Sequence, residues 1–310
     1  FIDFQSSDMR GGPEDTGAFM ASSSIETGDN IDQISELWYQ QLFAEGLIRV
    51  KAGKIDAGLE FGYTTAAENF LHQSNVFLFT NGLVPTYPDP AMGALVFVSP
   101  TDHVYIGGGF FDGSLSEGVH TGRLGPKPLF DGDDYLWIAE AGLTWETLGS
   151  FGPGKVAVGG WGHTGEFEKP DGTFADGAGA GYVIFEQRLL ARENADPQGD
   201  GGDGGLIAFI SAGFADGDVS DAQTQVTAGL TLIGTFEGRD DDAAGVLVTW
   251  LDLSNRRGFV ENETALELMY KLRLTPFASI IPSLQYIANP SGDPTIDDAV
   301  VGVVQFEVEF

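Results

Sequence analysis

Hydrophobic and polar positions alternate with a period of two along most of the chain, most plainly at its C-terminal end. Val300, Gly302, Val304, Phe306, Val308 and Phe310 fall on one face, and Val301, Val303, Gln305, Glu307 and Glu309 on the other. This is the spacing of a strand whose successive side chains point to opposite sides. Thr264–Leu274 repeats it, with Leu266, Leu268, Tyr270, Leu272 and Leu274 on one face and Glu267, Met269, Lys271 and Arg273 on the other. Similar runs occur at Ile34–Phe43, Leu47–Asp56, Gly93–Ser99, His103–Phe111, Tyr135–Glu146, Lys155–Thr164, Gly179–Leu190, Gly205–Phe214, Thr224–Gly234, Ala244–Ser254 and Ser279–Asn289. With the stub Phe1–Ser6 they make about fourteen strands of ordinary length. No segment keeps an apolar i, i+3, i+4, i+7 face for long, so the fold class is all-β.

The connections set the architecture. Ala44-Glu45-Gly46, Pro100-Thr101-Asp102 and Thr275-Pro276-Phe277 are tight turns, whereas Asp8–Asp32, Ala57–Met92 and Asp112–Asp134 are long. Ala191–Gly204 and Thr235–Ala243 are intermediate and fall on the short-turn side. Short turns at one end and long loops at the other, on strands of membrane-crossing length with one apolar face, predict a transmembrane antiparallel β-barrel of the outer-membrane type, a single domain over residues 1–310. A closed barrel satisfies every backbone amide without an edge, which is the β solution available in a bilayer. An acidic, secreted sandwich would share the alternation but would not need the loop asymmetry. The chain opens Phe1-Ile2-Asp3-Phe4, without Met or a basic and apolar leader, so no signal peptide is read there and localisation comes from the body of the sequence.

Composition narrows the function. The 310 residues carry 46 Asp plus Glu against 15 Lys plus Arg, a net charge of −31 that argues against nucleic acid. Apolar residues never gather into the roughly 18 or more that a membrane helix needs. The absence of cysteine rules out a disulfide framework or a thiolate site. On the strand boundaries above, most of the acidic excess lies outside the strands, chiefly on the long-loop side. There it would attract divalent cations and the ions that bridge lipopolysaccharide. The strands themselves are nearer to charge balance.

Turning the apolar face toward lipid turns the other face into a lumen. On that rule Arg49, Lys51, Glu140, Glu267, Lys271, Arg273, Ser283 and Gln285 point inward, joined by Trp161 and His163 if Val156 and Val158 face lipid, and by Glu186 and Arg188 beside Tyr182. Guanidinium and carboxylate groups hydrogen-bond sugar hydroxyls, and an indole such as Trp161 stacks on a pyranose face. Arg49, Lys51, Lys271 and Arg273 facing Glu140, Glu186 and Glu267 would set a transverse field; the same charges could equally form ion-pair ladders along the wall. The connection 57–92 carries Phe61, Tyr63, Phe70, Phe77, Phe79 and Tyr87 and few charges. Such a segment is expected to leave water and fold into the barrel, narrowing it, with packing on a neighbouring subunit as the alternative.

Three acidic clusters could hold Ca²⁺: Asp131, Asp133 and Asp134; the stretch Asp196–Gly205; and Asp240, Asp241 and Asp242. None has the spacing of an EF-hand loop, and solvated turns account for them equally. No other cofactor is expected. Four His and no nucleophile-elbow pattern select no catalytic triad, so the chain is not read as an enzyme.

A series of short segments then resembles the carbohydrate-selective porins, the OprB-like family of the bacterial outer membrane. They are Glu36-Leu37-Trp38-Tyr39-Gln40, Lys51-Ala52-Gly53-Lys54-Ile55-Asp56, Tyr87-Pro88-Asp89-Pro90-Ala91-Met92 and Pro100-Thr101-Asp102-His103-Val104-Tyr105, followed by Gly159-Gly160-Trp161-Gly162-His163-Thr164-Gly165, Glu186-Gln187-Arg188-Leu189, Gly238-Arg239-Asp240-Asp241-Asp242 and Leu284-Gln285-Tyr286-Ile287-Ala288-Asn289-Pro290. Each motif is weak alone; their order makes the combination specific. Phe277 stands where the family pattern suggests Trp, and Gly162 where Tyr is more usual. The resemblance implies a 16-stranded barrel, so an N-terminal hairpin is expected to be missing from the fourteen strands counted. It also implies passive, carbohydrate-selective diffusion of small saccharides, with lipid and lipopolysaccharide around the barrel. A homotrimer is expected from the general behaviour of porins. The alternatives are a general or weakly cation-selective porin, and a structural or adhesive barrel with acidic surface loops.

Overall fold

The computed structural model describes residues 1–7, 16–26, 31–113, 134–191, 204–234, 236 and 238–309. They form one sheet of fourteen strands in which each strand pairs with the next in sequence, β1 through β14. The strands are β1 (Ile2–Ser7), β2 (Ile31–Phe43), β3 (Ile48–Ile55), β4 (Ala91–Thr101), β5 (Val104–Asp112), β6 (Tyr135–Trp145) and β7 (Gly154–Glu168). They continue with β8 (Phe174–Ala191), β9 (Gly205–Ala215), β10 (Ala222–Ile233), β11 (Ala243–Leu253), β12 (Glu263–Thr275), β13 (Ala278–Ala288) and β14 (Ala299–Val308). All the ladders are antiparallel. Among the described residues no ladder joins β1 to β14.

The fourteen predicted strands are all present, and the face assignment holds. Val300, Val304 and Phe306 are 71%, 66% and 62% exposed, as residues turned to lipid should be, while Glu267 and Gln285 on the opposite face of their strands are fully covered. The outward face carries Leu37, Tyr39, Ile106, Phe110, Trp137, Val158, Leu268 and Leu284. Gly162 is on this face opposite Trp137, and a Cβ there would lie 2.4 Å from the indole, so the ring takes the space a larger side chain would need.

The largest departure is at β7 and β8. Both run past the expected ends, because Glu166, Phe167 and Glu168 pair with Asp176, Ala175 and Phe174 beyond an irregularity after His163. A tight turn closed by Lys169 N–H to the Thr173 carbonyl (2.8 Å) joins the two strands. The Gly-Ala-Gly-Ala-Gly composition of 177–181 hides this extension from a reading based on apolar alternation.

The inside of the sheet is packed where chain segments cross it. Ile55, Phe61, Leu78, Val84, Phe97, Phe111, Ile138 and Trp161 form one cluster, and Phe70, Leu71, Phe209, Leu247, Met269 and Ile281 a second. A third joins Met20 to Leu251, Ala265 and Ile287. The loop 56–90 contributes to the first two, so its aromatic residues are covered by the inner wall. Gly245 gives Phe70 its seat: a Cβ there would fall 2.4 Å from the ring.

Candidate functional site: the inner face and its crossing loop

The loop after β3 is closed at its own base. Asp56 accepts the amides of Leu59 (3.1 Å) and Tyr87 (2.9 Å), and Ala57 donates its amide to the Pro85 carbonyl (2.8 Å). Burial pushes the Asp56 carboxyl from 3.8 up to about 6, with its hydrogen bonds opposing the rise.

From that base the loop crosses the inner face, and side chains on the wall take up its backbone groups. Glu140 on β6 accepts the Gly62 amide (2.7 Å) together with the Tyr105 and Tyr182 hydroxyls (2.7 and 2.8 Å). Glu186 on β8 accepts the Thr65 amide (2.8 Å), and Thr231 on β10 donates to the Ala66 carbonyl (2.6 Å). Glu267 on β12 accepts from Leu71 and His72 (2.9 and 3.0 Å) and from the Ser283 hydroxyl (2.6 Å). Ser74 meets Thr249 at 2.6 Å, and Gln225 on β10 accepts the Phe79 amide (2.6 Å). A loop without regular secondary structure has few internal partners for its amides, and buried amides need them; these acceptors supply several. Phe61 stacks on Phe97 with centroids 5.0 Å apart, and Phe70 meets Phe209 edge-on at 5.9 Å. His72 is enclosed here, with Nδ1 on Ser74, and burial lowers its pKa from 6.5 to about 4.

On the short-turn side of the loop lies a strip of paired charges. Glu60 of the loop meets Arg49 at 2.8 Å and also binds Lys51. Burial raises the Glu60 carboxyl, but the hydrogen bonds and charges of Arg49 and Lys51 outweigh it and hold the group below its ordinary value. Each cation also lies over an aromatic face, Arg49 over Phe97 at 4.7 Å and Lys51 over Trp38 at 3.8 Å. Further round the wall Lys155 pairs with Glu186 (3.4 Å), Lys271 with Glu307 (2.9 Å) and Arg273 with Glu309 (3.3 Å). Glu68, in the loop, is raised first by burial and then by Glu186 and Glu307, with Lys271 opposing. Arg188 lays its stem over Gly152.

Of the residues singled out from the sequence, Arg49, Lys51, Glu186, Lys271 and Arg273 belong to the charged strip, where their partners are Glu60, Lys155, Glu307 and Glu309; Glu140 and Glu267, and Glu186 as well, receive loop amides. Trp161 donates to the Asn81 side chain (3.1 Å), and Gln285 donates to the Ser22 carbonyl (2.7 Å). His163 Nδ1 accepts from Gly165, so its Nε2–H donates to the Gly113 carbonyl (2.7 Å). Residues that the sequence pattern passed over complete the picture: Asp56, Glu60, Gln225 and Glu263, the last accepting the amides of Phe19, Met20 and Ser291. Glu263 begins a strand and carried a weak signal, an acid at the margin of an apolar run; Glu60 is in a loop, where no period assigns a face, and Asp56, expected as the last residue of a strand, lies one residue past the end of β3.

Among the described residues, the acidic clusters present no converging set. Asp131 and Asp133 lie outside the described residues, as does most of Asp196–Gly205. Asp242 accepts from Arg239 (2.8 Å), the Tyr270 hydroxyl (2.6 Å) and the Arg273 amide (2.9 Å), and Asp134 gives its carbonyl to the Gly113 amide (3.0 Å). Among the described residues no three His, Cys, Asp or Glu side chains converge to hold a metal.

Two clefts flank the loop. One of about 540 Å³ is bordered by β1, β2 and the loop base, with Asp3, Glu36, Asp56 and Tyr87 on its walls. The other, of about 380 Å³, lies toward the long-loop ends of β7 to β10.

The family described as carbohydrate-selective porin, OprB family, matches residues 10–310. No curated protein matches the chain. Among solved structures, the high-pH structure of Pseudomonas putida OprB is similar with a TM-score of 0.79 at 18% identity, over 94% of this chain and 77% of that one. The low-pH structure of the same protein gives 0.59 at 18% identity, over 91% and 69%. At these identities the likeness is one of fold.

Proposed function

The chain belongs to the carbohydrate-selective porin family, OprB, and we infer from this premise that it passes small saccharides by diffusion across the bacterial outer membrane, with the loop 57–92 as the constriction. The observation that carries the reading is the Glu60–Arg49–Lys51 group, where a loop carboxylate meets two wall cations of β3 on the inner face. Paired charges leave little net field for an ion but still offer donors and acceptors side by side. A neutral polyol can exchange its hydration for those groups as it passes.

A membrane-spanning sheet must present no free edge, so the β1 and β14 edges are proposed to take further strands in the bilayer, giving the sixteen that the family resemblance implies. The acidic excess of the long-loop side would gather divalent cations and the lipopolysaccharide they bridge. The same excess supports the second reading, a general porin with weak cation preference.

Liposome swelling separates these. Glucose is expected to enter faster than gluconate of like size, and faster than maltose. Equal entry of glucose and a small cation's salt would favour the general porin. An inserted barrel that admits no sugar would favour a structural or adhesive role.

A further inference from the structure

The inner face is not covered evenly. On β11 to β13 the inward side chains of Leu251, Ala265, Glu267, Gln285 and Ile287 are fully shut off from solvent. On the other flank of the crossing loop, Ile25 and Leu59 border the cleft of about 540 Å³ beside β1 and β2, and they are 57% and 54% exposed. The crossing loop itself covers Glu267 through the Leu71 and His72 amides. Leu251, Ala265 and Ile287 pack instead with Ala18 and Met20 of the segment 16–26, which lies between β1 and β2 in the chain, and Gln285 donates to the Ser22 carbonyl of the same segment.

From Gly17 to Glu26 that segment has no helix or strand, so its backbone groups need outside partners where it is buried. Glu263, at the start of β12, accepts the amides of Phe19 (2.6 Å) and Met20 (2.9 Å). The same carboxylate accepts the Ser291 amide (2.6 Å), so one acid joins the segment to the connection between β13 and β14. Toward the crossing loop, Ala21 donates to the Gln73 side chain (2.7 Å), Gln73 N–H donates to the Ala21 carbonyl (3.1 Å), and Ser24 donates to the Leu71 carbonyl (2.7 Å). Phe19 packs between Phe79 of the loop and Phe259, with centroids 5.8 and 5.7 Å away. The segment and the loop are thus joined along their backbones and seated together on the wall, unlike a solvated connection at a barrel mouth.

We propose that the segment 16–26 is a second partition of the lumen, with Glu263 as its positioning residue, which closes the passage over β11 to β13 and leaves the solute the route beside β1 and β2. It rests on the saccharide-porin reading and adds to it the side of the crossing loop that the sugar takes. Ser24 and Ile25, at the end of the segment, form one border of the open cleft, and Asp56 and Leu59 of the loop base form another. Leu59 is followed by Glu60, so the route leads to the group that Glu60 makes with Arg49 and Lys51. Glu267 and Gln285, although they are on the inner face, touch the partition and not the solute.

The chain contains no cysteine, so single introduced thiols report without background. Reaction of Leu59→Cys and Ala265→Cys with a methanethiosulfonate carrying a trimethylammonium group, followed by loss of current in planar bilayers and by mass, tests the proposal. Leu59→Cys is expected to react at least about tenfold faster than Ala265→Cys. Adding Glu263→Ala to Ala265→Cys should raise its reaction rate about tenfold and the starting conductance about 1.5-fold, whereas Glu263→Gln, which keeps an acceptor, should stay within about threefold of the single variant. Should Glu263→Ala not insert, replacing residues 18–24 by a Gly-Ser linker of equal length keeps Glu263 and should expose Ala265→Cys to the same degree. Equal rates at the two thiols, or an Ala265→Cys thiol still protected once the segment is released, would overturn the partition while leaving the porin reading in place. A wild-type barrel that conducts ions but takes up no glucose in liposome swelling would overturn the saccharide reading itself, whichever thiol reacts.

Discussion

The two sides of the crossing loop share the same wall strands yet are built from different chemistry. On the long-loop side Phe19, Phe79, Trp161 and Phe167 surround a cleft with one lining carboxylate. On the short-turn side Arg49, Lys51, Lys155, Lys271 and Arg273 meet Glu60, Glu186, Glu307 and Glu309. One β7 strand contributes to both, Phe167 and Trp161 toward one end and Lys155 toward the other, so position along a strand sets the chemistry that the inner face presents. The loop keeps the two sides apart, and it does so through Glu140, Glu186, Glu267 and Gln225, whose side chains accept its amides. Charge in the wall thus has two separate uses. Where it is covered it positions the loop, and beside the loop it is paired with opposite charge; Glu186 does both.

The largest effect is expected from breaking the separation itself. Glu267→Ala removes the acceptor of the Leu71 and His72 amides and the Ser283 hydroxyl, all buried. It should lower stability to urea in lipid vesicles by about 3 to 5 kcal/mol and raise current noise as the loop loosens. Glu267→Gln, which keeps a carbonyl, should lose about half as much.

Next comes the balance of the charged strip. Replacing Arg49 and Lys51 together by Gln leaves Glu60 unpaired, and the reversal potential in a KCl gradient should move toward cation preference by about twofold or more in permeability ratio. Glu60→Gln should move it the other way. Equal reversal potentials in the two variants would mean that this group does not border the ion path.

A smaller effect concerns pH. His72 is held near pH 4, below its ordinary 6.5, so what its neutral form contributes is complete above 6.5 and is lost as the pH falls toward about 4. Asp56 is raised from 3.8 to about 6, so its contribution is complete below 3.8 and is lost as the pH rises through about 6. Between those limits the two oppose each other, and the loop should hold its stability on mild acidification. Asp56→Asn leaves the His72 contribution alone, and its urea midpoint should drop between pH 7 and pH 4.5, whereas His72→Phe should show the reverse slope. Parallel pH curves for wild type and both variants would refute this assignment.

The smallest effect is expected at Lys271, whose partner Glu307 is partly open to solvent. Lys271→Gln should change stability by less than about 1 kcal/mol.

The strands and their lipid faces were legible because alternation is a local property: Leu266 to Leu274 and Val300 to Val308 declare their faces without reference to anything else. The same rule placed Arg49, Glu140, Glu267 and Lys271 inside. It could not separate Arg49, which pairs with Glu60 of the loop, from Glu267, which lies beneath the loop, because a strand's period says which face a side chain takes and not what covers that face. Glu60 was illegible for the opposite reason, since it sits on no strand, and Asp56, read as the last residue of a strand, lies just past the end of β3, where the period no longer sets its direction. The extension of β7 and β8 was missed because glycines and alanines at 177–181 carry no apolar contrast, and it is the ladder with 162–168 that makes that stretch a strand.

A loop 57–92 that restricts the lumen sets which saccharides pass, and replacing residues 66–81 by a short Gly-Ser linker removes the restriction. Single-channel conductance, recorded together with glucose and maltose swelling rates, is expected to rise at least about twofold, with the loss of discrimination between the two sugars. Unchanged conductance with unchanged discrimination, in a barrel that still inserts, would contradict it.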